Sequence, residues 1–165
     1  MKPVKLSELI DALEFDSDEY ACRIDLQNGT VVRVDRSLLN VAEEGDEDAL
    51  ENRPDWEKED AEIAKAIAAD SGKRFVAAPD KFNFHEYRQM ESFIGTVEDR
   101  AAAEELWRAI RGKGAFRYFK DTAARLGLLK QWYQYRDNAM EQHVRDWAEA
   151  HQVPIEDDTT SRPRG

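Results

Sequence analysis

The sequence predicts an α+β fold, with a small antiparallel sheet (a β-hairpin plus a third strand) and early helices, followed by a helical C-terminal subdomain. Three observations predict it. Tyr20-Ala21-Cys22-Arg23-Ile24-Asp25-Leu26 alternates apolar and polar residues, the period of a half-buried strand. Asn28-Gly29 follows, a strong short-range hairpin signal because a type I′ turn needs positive φ at both central residues, and Val31–Asp35 returns. From Asn83 onward the apolar residues recur at helical spacing.

The elements follow in order. Leu6, Leu9, Ile10 and Leu13 space as a short helix with Ser7 at its N-cap. The hairpin comes next. Glu43 to Asn52 reads as a solvated acidic loop, and after Pro54 a helix presents Trp56, Ile63, Ala64, Ile67 and Ala68, with Gly72 as its stop. Arg74–Ala78 is the third strand. Asn83-Phe84-His85-Glu86 has capping-box spacing and opens a helix with Phe84, Tyr87, Met90, Phe93 and Ile94 on one face. Thr96 caps the next, with Ala103, Leu106, Trp107 and Ile110 inward. After Gly112-Lys113-Gly114, a helix from Ala115 to Leu126 turns Phe116, Phe119, Ala123 and Leu126 inward. The last, Leu128 to Ala150, lines Leu129, Trp132, Tyr133, Met140, Val144 and Trp147 along one side. One domain is expected over residues 1–155: a sheet part over about 5–79 with the acidic insert 43–62, then a helical part over about 80–155. The apolar-poor tail 156–165 is expected to be disordered.

Composition narrows the class. Of 165 residues, 41% are apolar and 36% charged, and four Trp, five Tyr and seven Phe argue for a folded core. The lone Cys22 makes neither an internal disulfide nor a Cys-rich metal site, and is read as a small buried thiol. Residues 1–8 lack the apolar stretch of a signal peptide, and no run approaches the ~18 apolar residues of a membrane span, so a cytoplasmic location is expected.

Charge is unevenly spread. The net charge is −11, yet Glu43–Glu62 holds 11 acids against two bases, while Arg108–Arg136 holds eight bases against one acid. The acidic total argues against simple non-specific DNA binding. It leaves the basic segment to pair within the chain or with an external anion.

Catalytic and metal motifs are missing. Among the three histidines, His143 and His151 are eight residues apart on one helix, roughly 12 Å along its axis and too far to share an ion. His85 stands elsewhere. There is no His-Glu-x-x-His, Cys cluster or EF-hand pattern, no Gly-x-Ser-x-Gly elbow and no P-loop. No cofactor or metal is expected.

The segment Arg111-Gly112-Lys113-Gly114-Ala115-Phe116-Arg117-Tyr118-Phe119-Lys120-Asp121 draws the eye instead. A Gly-Lys-Gly turn feeds a helix start, where unpaired N–H groups favour an anion. Lys113, Arg117 and Lys120, spaced four then three, share a face, and with Arg136 they are the candidate anion-binding residues. The plainer reading is a surface ladder of Arg117, Asp121 and Arg125. Trp132, Tyr133 and Trp147 read as core, whereas Tyr118 and Tyr135 fall off their apolar faces and are expected to be exposed.

The run Gly112–Asp121, followed by Leu126-Gly127 and Trp132-Tyr133-Gln134-Tyr135-Arg136, resembles the signature of a bacterial uncharacterised protein family, number one-five-eight of its naming series. The hairpin, the acidic middle and the Phe82-to-Ile94 helix fit its layout, and the resemblance covers residues 5–153. It implies a small bacterial cytoplasmic protein and carries no established active site.

Three functions stand open. The leading one is a non-enzymatic binding or regulatory module with a basic anion-binding helix, whose partner at 108–136 is a small anion, nucleic acid or an acidic protein. The second is a protein-interaction module whose acidic stretch 43–62 meets a basic protein. The third is an enzyme with a carboxylate/arginine site. No membrane partner is expected.

Overall fold

The computed structural model describes residues 1–70 and 72–159. The fold is α+β, as predicted. The chain forms two compact units: Met1–Asp80 together with the segment from Val144 on, and Lys81–His143.

In the first unit, β1 (Val4–Lys5) leads into α1 (Leu6–Glu14), then β2 (Tyr20–Asp25) and β3 (Thr30–Asp35). Next come α2 (Arg36–Glu43), α3 (Glu47–Glu51), a 3-10 turn at Asp55–Glu57, α4 (Lys58–Ala69) and β4 (Phe75–Ala77). The three-stranded sheet runs β3-β2-β4 and is antiparallel throughout, with Asp25 paired to both Thr30 and Phe75. Ala21, Val34 and Phe75 turn one face of it toward Leu38, Leu39, Leu50, Ala61, Ala64 and Ile67. Ile24, one residue out of phase and so on the opposite face, is fully buried too. A three-stranded sheet needs such cover, because alone it buries too little apolar surface.

The hairpin differs from the two-residue turn predicted. β2 ends at Asp25, so Leu26–Gly29 form a four-residue loop, and of these only Gly29 has positive φ, at 68°. Asp25 sets this loop. Its carboxylate accepts from the Gln27 and Asn28 backbone N–H groups (3.0 and 3.3 Å) and from the Asn28 amide at 3.0 Å. It also takes both arms of the Arg74 guanidinium at 3.0 Å. The Arg74 hydrogen bonds hold the Asp25 carboxyl below its ordinary value, against the opposing effect of burial. Gly29 is required by space as well as by φ: a Cβ there would lie 2.6 Å from the Pro3 carbonyl oxygen.

Other elements depart from expectation. α2 was not predicted; Asp35 caps it, accepting from the Ser37 and Leu38 N–H groups at 2.8 and 3.4 Å. The acidic stretch is not a plain loop, since α3 forms within it and buries Leu50. Trp56, placed on the inner face of a helix by its spacing, is 77% exposed, because the 3-10 turn sets it out of phase with α4. Cys22 is half-buried.

Ser7 lies inside α1, not at its cap. Asp158 supplies the cap from the far end of the chain: it accepts the Ser7 N–H at 2.9 Å and the Ser7 hydroxyl. Those bonds hold the Asp158 carboxyl low. Beside it, β5 (Ile155–Glu156) pairs in parallel with β1. Arg145 binds Asp157, which with Thr159 lowers that carboxyl to about 2. The expected disorder at 156–165 therefore does not hold for 156–159, and residues 160–165 lie outside the described ones.

The second unit holds α5 (Lys81–Phe84), α6 (Glu86–Ile94), α7 (Arg100–Ala109), α8 (Ala115–Arg125) and the first part of α9 (Leu129–Ala150). Its core is Met90, Phe93, Ile94, Leu106, Ile110, Phe119, Ala123 and Trp132. Phe119 and Trp132 meet edge-on at 4.9 Å, and Phe93 meets Trp132 the same way at 5.5 Å. The predicted capping box at Asn83 is displaced: Asn83 sits within α5, and His85, at φ 54°, breaks the chain before α6. Thr96 does not cap α7. Its hydroxyl closes α6 on the Phe93 carbonyl at 2.6 Å, while Asp99 caps α7 through the Ala101 and Ala102 N–H groups. Phe116 and Tyr133 are exposed, not inward. Tyr135 is half-buried against Phe93, not exposed.

Candidate functional site

Two helices of the second unit build the site. α7 ends near Ile110, whose carbonyl accepts from the Tyr87 hydroxyl at 3.1 Å. The chain reverses through Gly112 and Gly114, both at positive φ, and α8 starts from Gly114 without a side-chain cap. α8 then packs on α7.

The predicted residues do not converge. Lys113 lies in the reversing turn before α8, so it shares no helix with Arg117 and Lys120. Arg117 is 87% exposed and faces Asp121 at 3.9 Å, a weak helix-surface pair. Lys120 is exposed on the same helix. Arg136 is withdrawn: its side chain is 13% exposed and Nε donates to Glu86 Oε1 at 2.6 Å. It belongs to the internal bonding of this unit, and the anion-binding role read for it from the sequence does not fit that position.

The structure instead brings together a neighbouring set. An open groove of about 500 Å³ lies along α7 and α8, lined by Glu105, Arg108, Arg111, Tyr118, Thr122 and Arg125 with Ala109. Tyr118, Thr122 and Arg125 fall at i, i+4 and i+7 and share a face of α8, while Arg108 stands in the last turn of α7 and Arg111 just past its end. The face that matters on α8 is thus one residue on from Arg117. Arg125 does not extend the Arg117–Asp121 ladder; it crosses to Glu105 on α7. Arg108 reaches Glu104 only at 4.0 Å, with both side chains more than 70% exposed. Arg111 makes no side-chain ion pair among the described residues. Three guanidiniums therefore border the groove against one lining acid, Glu105, which is already engaged.

Elsewhere the chemistry is sparse. Among the described residues no three His, Cys, Asp or Glu side chains gather as a metal site, and no helix is long and apolar enough to cross a membrane. In the acidic stretch Lys58 pairs with Asp55 at 2.8 Å and Arg53 faces Glu57 at 3.6 Å.

Over residues 1–159 the chain matches the model of the Uncharacterised protein family (UPF0158). No curated protein and no solved structure matches it.

Proposed function

We propose that this chain, which belongs to the Uncharacterised protein family (UPF0158), is a non-enzymatic binding module for a polyanion, with its binding face along α7 and α8. One observation carries the reading: Arg108, Arg111 and Arg125 line a single open groove in a chain whose net charge is −11. Guanidinium forks match phosphate and carboxylate oxygens in pairs, and they hold their charge at every physiological pH. Lys113, Arg117 and Lys120 sit beyond the groove, where they add to the local field. Openness favours binding over catalysis, because the electrostatic work of an active site needs a water-excluding cavity. The cytoplasmic, bacterial setting expected from the sequence is part of the same proposal.

Retention of the purified chain on immobilised inorganic polyphosphate at low salt tests this. The wild type is expected to be retained, and Arg108→Gln/Arg111→Gln/Arg125→Gln to flow through. A wild type that flows through, or a triple variant retained as well as wild type, overturns the reading.

A second reading is favoured by Trp56, which stands 77% exposed between Asp55 and Glu57. Exposed tryptophan amid carboxylates suits a Lys/Arg-rich protein segment, which pairs with the acids and lays a cation on the indole. Trp56→Ser should then weaken capture of an oligo-arginine peptide; equal capture refutes it.

A further inference from the structure

We propose that the α7–α8 groove takes single-stranded nucleic acid, with Tyr118 stacking on a base while Arg108, Arg111 and Arg125 hold the flanking phosphates. This rests on the polyanion reading above and names its ligand. The groove presents two chemistries side by side. The first is the guanidinium set. The second is an aromatic ring in the open: Tyr118 is 56% exposed and lines the same groove as the three arginines.

That ring is also positioned. A Cβ built on Gly114 would lie 3.2 Å from Tyr118 Cε2 and 3.4 Å from Cδ2, so the ring rests against the glycine backbone. Gly114, at φ 74°, starts α8 and leaves room for the tyrosine one turn later. A side chain with two χ angles, backed by main chain, loses little conformational freedom on stacking.

The pairing of chemistries selects the ligand. An acidic peptide satisfies the arginines but, unlike a nucleic acid, carries no ring on every unit beside its anions to meet Tyr118. Duplex DNA or RNA offers phosphates, but its base faces are already covered. A single strand offers both at once, and base–aromatic stacking tolerates any sequence. The arrangement also sets the conditions. Few phosphates are contacted and the whole chain repels them at long range, so binding is confined to low ionic strength. Glu105 competes for Arg125, and an arriving phosphate displaces it.

Fluorescence anisotropy of the full chain with labelled oligouridylate of about ten nucleotides, within the usual site size of such surfaces, tests the inference. Uridine monophosphate, a hairpin duplex and inorganic polyphosphate serve as competitors. The strand should bind with a slope of log K against log salt near −2, each Arg→Gln change lowering its magnitude by about 0.7. Tyr118→Ala should weaken the strand about tenfold while leaving polyphosphate competition unchanged, and Tyr118→Phe should restore it. Duplex competing as well as single strand, or Tyr118→Ala binding like wild type, overturns the inference. The monophosphate competing at the same concentration as the strand overturns it in favour of a nucleotide site. Polyphosphate binding through the arginines with no binding of the oligonucleotide sinks this inference and leaves the polyanion reading standing. Binding of neither sinks both.

Discussion

The two units of this chain carry charge in opposite ways. The first, Met1–Asp80 with the segment from Val144 on, contains 13 Lys and Arg against 26 Asp and Glu; the second, Lys81–His143, contains 11 against nine. In the acidic unit several carboxylates are structural. Asp25 closes the hairpin on Arg74, Asp35 caps α2, Asp70 accepts the Gly72, Arg74 and Phe75 N–H groups, and Asp158 caps α1. In the basic-faced unit the centre is a set of interlocking aromatic rings, and its cations stand mostly at the surface. Acids that order a backbone are thus engaged within the first unit, whereas Arg108 and Arg111 border an open groove with at most a weak surface pair. Arg125 is held by Glu105 at the edge of the groove, and Arg136 is drawn into the second unit's own structure by Glu86.

Single substitutions can break this contrast. Trp132→Ala removes the ring that Phe93 and Phe119 pack against and should cost about 3–5 kcal/mol in urea unfolding. A cost under about 1 kcal/mol would mean that the aromatic core does not hold the second unit. Asp25→Asn keeps the shape but loses the charge that binds Arg74, and about 2 kcal/mol should be lost. Were it neutral, the carboxylates of the first unit would not be structural.

Asp158→Ala uncaps α1 and should cost about 1 kcal/mol, read by amide exchange in residues 6–10. The same groups set an acid response. Asp25, Asp157 and Asp158 all have folded values below the ordinary 3.8, Asp157 near 2, because hydrogen bonds favour their charged forms. A depressed folded value lends stability that is complete above the unfolded value and vanishes as pH falls through the folded one. Amide protection in the first unit should therefore fall between pH 4 and pH 2, and the loss should shrink in Asp158→Ala. Last, Arg117→Gln breaks only an exposed pair and should shift stability by less than about 0.5 kcal/mol.

What the sequence reveals follows how local each signal is. The strands β2 and β3, the third strand and the four long C-terminal helices are legible because side-chain periodicity is written within each segment. α2 carries a local signal in Asp35 two residues before Ser37, with Leu38, Leu39, Val41 and Ala42 behind, but it is only eight residues long and sits between a strand and an acidic run that mask it. The β1–β5 pair had none: two-residue strands pair across about 150 positions. The site was half legible. The uneven distribution of charge located the basic segment, and Tyr118 stands at the surface as expected. Which arginines meet depends on α7 packing against α8, and the Glu105–Arg125 bridge spans 20 residues. Helix spacing alone therefore favoured Lys113, Arg117 and Lys120, and the basic run added Arg136, whose partner Glu86 lies 50 residues back.

Amide chemical-shift mapping of the full chain titrated with inorganic polyphosphate at low salt decides whether the α7–α8 groove binds a polyanion. Shifts gathered in residues 108–125 and following the Arg108, Arg111 and Arg125 side chains are the predicted result. Shifts confined to the first unit, or none at all, would contradict it.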